Sequence, residues 1–358
     1  MIRIPVSVSK GYEVIMDKNL LNKSGSYIKE ALGLENISNK KLCIITDANV
    51  DPLYSEIVLT NLETTGFETY KFVFPGGEDH KTMETVTEIL EFLADNKFTR
   101  SDLLVALGGG LTGDITGFAA ATYLRGIDFI QIPTTLLAIV DSSVGGKTGV
   151  NLTSGKNLAG AFWQPRLVLF DPLVLDTLSY EVKLDGIAEA IKAGFIANSE
   201  IIYKINNTQD INNLDFLMDI ASMAIDVKRT VVSEDERDHG SRQLLNFGHT
   251  IAHAIEKCSS YKISHGHAVA MGMNIVCKAS DTLGWTKESC FESINNILNK
   301  FSFPLHHPYS SQELAAAALQ DKKIRGDKIT LVLPVRPGHC TLRTIEIRKL
   351  QDFISKGL

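Results

Sequence analysis

The sequence predicts an α/β domain followed by a mostly helical one, and three features carry that expectation. Short apolar runs alternate with helical patterns as far as Asp171-Pro172; such alternation builds a parallel, doubly wound sheet. Beyond that break the patterns are helical, with one strand-like run at 329–333. At 358 residues the chain is also longer than one ordinary core requires. The expected domains are therefore 1–172 and 173–358.

The elements follow in order. Residues 1–17 alternate apolar and polar side chains (Ile2, Ile4, Val6, Val8), as one half-exposed strand would. An apolar run at 41–46 ends in Asp47-Ala48-Asn49. A helix closing at 61–66 is followed by a strand at 68–74, which runs into Pro75-Gly76-Gly77-Glu78-Asp79-His80-Lys81. A helix at 83–96 leads to the strand 103–107. Gly108-Gly109-Gly110-Leu111-Thr112-Gly113-Asp114 comes next, then a small-residue helical run at 115–123. A strand at 129–132 enters Pro133-Thr134-Thr135, and 167–170 is the last strand of the first domain. Helical patterns then cover 176–198, 200–206, 214–234, 246–258, 265–283, 287–300 and 311–319.

In a doubly wound sheet, ligands bind beyond the carboxyl ends of the strands. Asp47, Glu78, Gly109 and Thr134 all fall at such ends. A buried strand running into a glycine turn at a helix start brings backbone N–H groups and positive potential to a pyrophosphate. The spacing is not the common G-x-G-x-x-G. Two further glycine turns, each carrying a cation, follow at Gly145-Gly146-Lys147 and Ser154-Gly155-Lys156-Asn157. The three together are read as a nucleotide site and a second phosphate site, giving a Rossmann-like first domain.

Net charge is −6 and no basic block occurs, which excludes a nucleic-acid binder. No apolar run has membrane-spanning length, and the N-terminus lacks a signal-peptide core. Five cysteines without a C-x-x-C point to reduced thiols in a cytoplasmic protein.

The helical half holds a different chemistry. Four of the nine histidines, His249, His253, His265 and His267, fall within nineteen residues. His249 and His253 are four apart and share a helix face. Glu189 stands in an otherwise apolar helix with Lys192 beside it. Two imidazoles and a carboxylate suit a catalytic zinc with an open position. The spacing does not choose among the histidines, nor among zinc, iron and manganese.

Taken together, GGGLTGD (108–114), ATYLRG (121–126), QIPTTLLAIVDSSVGGKTGVN (131–151), GKNLAGAFWQP (155–165), GIAEAIK (186–192), SEDER (233–237), LLNFGHTIAHAIE (244–256), SHGHAVAMGM (264–273) and DKK (321–323) resemble the 3-dehydroquinate synthase family, in order and across both halves. The resemblance implies an NAD-binding α/β domain, a helical domain holding a divalent metal (usually zinc, with cobalt possible), and a homodimer. It implies conversion of a phosphorylated keto acid, 3-deoxy-D-arabino-heptulosonate 7-phosphate, to 3-dehydroquinate and phosphate, with NAD taking a hydride and returning it.

By motif, the resemblance assigns the metal to Glu189, His249 and His265. It assigns the nucleotide to Asp47, Asn49, Glu78, Lys81, Gly109, Gly110, Asp114, Thr134, Thr135, Lys156 and Thr177. The substrate falls to Arg125, Asp141, Lys147, Asn157, Lys192, Lys228, Arg242, Asn246 and Lys322. His253, Asp238, Lys147 and Arg125 carry the catalytic roles, His253 in proton transfer near the phosphate. Cations suit a phosphate dianion.

The chain departs from the family pattern twice. Asp238, followed by His239, stands where most members have glutamate in an acid/base role. His265-Gly266-His267 stands where most read His-Gly-Glu, and the extra imidazole is expected to face solvent or to stand behind the metal's ligands. Rival readings are another sugar phosphate cyclase, a metal-dependent polyol dehydrogenase, which would accumulate NADH, and a non-enzymatic NAD sensor, which would not need Glu189.

Overall fold

The computed structural model describes residues 1–33, 40–319 and 327–358. They form two compact units, Met1–Leu178 and Ser179–Leu358.

The first unit is an α/β domain. Its elements are β1 (Ile2–Val6), β2 (Tyr12–Met16), α1 (Ser24–Ala31), β3 (Lys41–Asp47), α2 (Glu56–Thr65), β4 (Glu68–Phe74) and α3 (Met83–Asp95). There follow β5 (Leu103–Gly108), α4 (Gly110–Thr122), β6 (Asp128–Pro133), β7 (Lys147–Leu152), β8 (Gly155–Phe162) and β9 (Leu167–Phe170). Seven strands make one sheet in the order β1-β2-β9-β6-β5-β3-β4. All pairs from β2 onward are parallel, and β1 is antiparallel to β2. The expected single strand at 1–17 is thus a hairpin, with Ile4 opposite Val14 and a turn through Gly11.

The chain leaves β3 in one direction, for β4, and leaves β5 in the other, for β6. The winding therefore reverses between β3 and β5, where an open α/β sheet leaves a ligand crevice at the carboxyl ends. Asp47 ends β3 and Gly108 ends β5.

Helix α4 is apolar or small on every side, the signature of a helix covered all round. One side lies on the sheet and the other under the β7–β8 hairpin. A Cβ on Gly117 would stand 3.1 Å from the Phe129 ring and 2.3 Å from Thr148. From sequence, its segments Gly145-Gly146-Lys147 and Ser154-Gly155-Lys156-Asn157 read, together with Gly108-Gly109-Gly110, as glycine turns of a nucleotide site and a second phosphate site. Only Gly109-Gly110 opens a helix; Gly145-Gly146 leads into β7, and Gly155 begins β8. Gly149 faces Gly160 across the hairpin. A Cβ on either would fall within 2.6 Å of the opposite backbone, so these glycines serve close strand approach.

The second unit comprises α5 (Tyr180–Ala197), α6 (Ser199–Asn207), α7 (Leu214–Glu234), α8 (His249–Cys258), α9 (His265–Thr282), α10 (Cys290–Lys300) and α11 (Ser311–Ala318). A strand pair, β10 (Lys328–Arg336) and β11 (His339–Glu346), and α12 (Leu350–Gly357) complete it. The expected lone strand at 329–333 is therefore half of an antiparallel hairpin. Helices α5 and α9 are buried on nearly all sides and form the unit's centre. Among the described residues, no helix is long and apolar enough to cross a membrane.

Candidate active site

In the first unit, candidate nucleotide residues collect at the carboxyl ends of β3 and β5. Asp47 accepts the backbone N–H of Asn49 (3.0 Å) and Val50 (3.3 Å) on one oxygen, and the Thr112 hydroxyl (3.1 Å) on the other. Its carboxylate thus ties β3 to the first turn of α4 across the reversal point. Gly109 caps α4 and Gly110 is its first residue. A Cβ on Gly109 would approach Thr135 to 3.3 Å, and one on Gly110 would approach Ser142 to 2.8 Å. Thr134 donates its backbone N–H to the Gly108 carbonyl (2.9 Å), and Asp141 lies in the following turn.

A polar network lies beside this helix start. The buried Lys81 ammonium donates to Asp114 and to Asn157, both at 2.6 Å. Asn157 donates its N–H to the Asn151 side chain (2.9 Å), and Asn151 donates to Glu78 (2.8 Å). Lys156 comes within 3.8 Å of Glu78. Burial pushes the Asp114 carboxyl up, against the pull of Lys81. Thr177 shares its hydroxyl with Tyr54 (2.6 Å) in the same unit.

Two predicted residues stand apart from this group. Arg125 has a left-handed backbone (φ 67°) and follows α4, at the amino end of β6 and so at the opposite edge of the sheet. Lys147 opens β7 opposite Phe162, most of a hairpin away from Asn157.

In the second unit, three helices converge. Glu189 comes from α5, His249 is the first residue of α8, and His265 is the first residue of α9. The Glu189 Oε1 atom lies 3.3 Å from His265 Nε2 and 3.6 Å from His249 Nε2. His249 Nδ1 lies 3.1 Å from the Phe247 carbonyl; donation there leaves its Nε2 lone pair facing Glu189. The ligand atoms of all three lie within 4.8 Å of one another. Glu189 is buried, and neither of its oxygens accepts a hydrogen bond of good geometry, although Oε2 pairs with Lys192. A buried, electron-rich oxygen facing two imidazole nitrogens fits a divalent cation with N and O ligands.

Of the four candidate histidines, the structure groups His249 and His265 with Glu189. His253 lies one turn along α8, its ring 5.5 Å from that of His249 and 6.3 Å from that of His265. His267 neither faces solvent nor joins the group. It is buried, packs on Phe303, and bonds to Asp185 at 2.7 Å.

Glu256 was missed from sequence. Its Oε2 lies 3.5 Å from His265 Nδ1. Desolvation pushes the His265 imidazole down, but the carboxylates of Glu189 and Glu256 outweigh it and push it up to about 10. The available signal was spacing: Glu256 is three residues past His253 and seven past His249, on one helical face.

Lys228 and Arg242 are buried, Arg242 donating to the Glu236 carbonyl (2.5 Å). Asn246 donates to the Gln243 carbonyl (3.1 Å). Asp238 sits in a left-handed turn (φ 61°). That turn is wound around Asp235, which accepts the N–H groups of His239, Gly240 and Arg242. Lys322 lies outside the described residues.

Both units match known family models: residues 71–184 match 3-dehydroquinate synthase N-terminal, and 186–324 match 3-dehydroquinate synthase C-terminal. The chain belongs to the 3-dehydroquinate synthase family. A relative from Clostridium acetobutylicum named 3-dehydroquinate synthase is 42% identical over 346 residues, covering 96% of each chain. Among solved structures, 2-deoxy-scyllo-inosose synthase complexed with carbaglucose-6-phosphate, NAD+ and Co2+ matches with TM-score 0.88 and 26% identity, covering 100% of both chains. The 2-epi-5-epi-valiolone synthase of Streptomyces hygroscopicus subsp. jinggangensis, with NAD+ and Zn2+ bound, matches with TM-score 0.87 and 25% identity, covering 100% of this chain and 99% of that one.

Proposed function

We propose that this protein is a 3-dehydroquinate synthase, a carbon–oxygen lyase of the shikimate route to aromatic amino acids. It converts 3-deoxy-D-arabino-heptulosonate 7-phosphate to 3-dehydroquinate and inorganic phosphate. The observation that carries the reading is the meeting of Glu189, His249 and His265 within 4.8 Å in a chain that matches this family's two models over 71–184 and 186–324. NAD is the proposed cofactor and zinc the proposed cation, with cobalt a working substitute. The related cyclases named above bind NAD+ with Co2+ or Zn2+. A homodimer in the cytoplasm is the proposed setting, in keeping with five unpaired cysteines.

When bound, NAD supplies a hydride acceptor that later returns the hydride, and the cation supplies Lewis acidity at the alcohol being oxidised. The rest falls to the chain's own residues. Gly109 and Gly110 offer backbone N–H groups at a helix N-terminus to the pyrophosphate. Asp47, Asn49, Glu78, Lys81, Asp114, Thr134, Thr135, Lys156 and Thr177 hold the remainder of the nucleotide. In the second unit Lys192, Lys228, Arg242 and Asn246 bind substrate oxygens. His253 moves the proton that accompanies loss of phosphate, and Asp238 serves as acid and base. Lys147 and Asn157 bind substrate from the first unit, and Asp141 orients it; Arg125, at the amino end of β6, keeps its substrate role on the family resemblance alone. Loss of phosphate follows oxidation because the new ketone acidifies the neighbouring C–H. Ring opening and an intramolecular aldol closure would complete the conversion, and a held substrate closes with little entropic cost.

The test follows phosphate release from 3-deoxy-D-arabino-heptulosonate 7-phosphate with trace NAD, with and without chelator, while absorbance at the NADH band is recorded. Chelator-sensitive release without NADH accumulation is expected. No release from this substrate, with turnover of glucose 6-phosphate or NADH build-up on a polyol, would replace the reading by one of its rivals.

A further inference from the structure

Helix α9 begins at His265, yet its own cap residue does not cap it. Ser264 has the extended backbone of an N-cap (φ −64°, ψ 159°), but its hydroxyl makes no bond to the helix backbone. Serine is among the residues best suited to that task. Instead Ser264 Oγ donates to Asp185 Oδ1 at 2.6 Å. The same carboxylate oxygen accepts the backbone N–H of His267 at 3.0 Å and its Nδ1–H at 2.7 Å. Asp185 therefore caps α9 from another helix, α5, and its charge suits the positive end of α9.

The two helices touch at this point. A Cβ on Gly266 would lie 2.2 Å from the Asp185 Cα and 2.4 Å from its carbonyl oxygen, so the approach is backbone to backbone. Glu189 is one helical turn beyond Asp185 on α5, on the same face. His265 is two residues before His267. The clamp thus sits one turn from the place where Glu189 Oε1 meets His265 Nε2 at 3.3 Å. A Ser-His-Asp set also suggests nucleophilic catalysis, but here Ser264 and Asp185 both converge on Nδ1 of His267. A relay needs the two ring nitrogens to serve different partners, so the arrangement holds position and does not activate the hydroxyl.

We propose that Asp185 and His267 are positioning residues for the cation site. Asp185 takes over the cap of α9 and so couples the placement of His265 to the turn of α5 that carries Glu189. This rests on the reading of Glu189, His249 and His265 as metal ligands.

The experiment measures zinc and cobalt affinity of the metal-free full-length chain by competition with a chromophoric chelator, with the visible spectrum of the cobalt form and the melting temperature alongside. Wild type should bind and Glu189→Ala should not; binding by Glu189→Ala defeats the metal reading itself. Asp185→Ala should bind roughly 10–100-fold more weakly, with an altered cobalt spectrum. Asp185→Ala/Ser264→Asp restores a cap from within α9 but not the tie to α5. It should recover melting temperature while affinity stays low. Full recovery of affinity in that double variant, or affinity within about twofold of wild type in Asp185→Ala, overturns the proposal. Should Asp185→Ala fail to fold, Asp185→Asn keeps an acceptor for the His267 N–H without the charge. About tenfold weaker binding supports the proposal, and unchanged binding overturns it.

Discussion

Glu256 Oε2 lies 3.5 Å from Nδ1 of His265, across the ring from the nitrogen that faces Glu189. A carboxylate behind a ligand imidazole fixes the ring's orientation and raises its basicity. Helix α8 therefore contributes twice, with His249 in its first turn and Glu256 in its last. Glu256→Gln should keep the fold and lower zinc affinity about tenfold or more, measured by chelator competition. Unchanged affinity would remove Glu256 from the site's support.

Without a cation, His265 keeps its proton up to a pKa of about 10, against 6.5 for an unperturbed imidazole. A raised imidazole pKa contributes stability that is full below about 6.5 and is lost as pH climbs through about 10. The melting temperature of the metal-free protein should fall over that window, and His265→Asn should show a smaller fall. Zinc must displace the proton, so loading at pH 8 in weak buffer should release about one proton per ion, read with an indicator dye. No release would mean that His265 does not bind the ion.

Lys81 and Asp114 form a largely buried pair beside the start of α4. Lys81→Met strands a carboxylate whose pKa burial already pushes up. The expected loss is about 3 kcal/mol by urea unfolding at pH 8. Because the raised pKa makes ionisation the costly state, the loss should shrink toward pH 5, where Asp114 can take a proton. Lys81→Met/Asp114→Leu should recover much of it. A loss independent of pH would point to packing and not charge.

Gly266→Ala puts a methyl group 2.2 Å from the Asp185 Cα, where no side-chain rotation can relieve it. The helices must part, at a cost of about 2 kcal/mol or more. Thermal unfolding should register that loss, and metal binding should weaken with it. Wild-type values for both would show that the contact is slack.

The main sheet was legible because its strands are apolar runs ended by glycine, proline and aspartate. The helical half was legible where burial is periodic, as along α7, α8 and α10, and by length where it is not, as in α5 and α9. Three features were not legible from the residues alone, each for its own reason. The β7–β8 hairpin does not read as a strand pair, because its glycines look in sequence like turn residues; Gly149 and Gly160 permit the close approach of its two strands. The histidine cluster offered four imidazoles at plausible spacing. Only the junction of α5 with α9 turns His267 toward Asp185 and His265 toward Glu189. Glu256 shares a helical face with His249 and His253, but its partner His265 is on another helix, and that pairing across helices is not written in the spacing.

The proposed ligand Glu189 lies far along the chain from His249 and His265, with α6 and α7 between α5 and α8. Loop closure on that scale costs entropy before any coordination can repay it. A cation should therefore engage only after α5, α8 and α9 have docked. On this arrangement zinc acts as a kinetic lock: it slows unfolding of the second unit and leaves the folding rate nearly unchanged, as expected of contacts absent from the transition state.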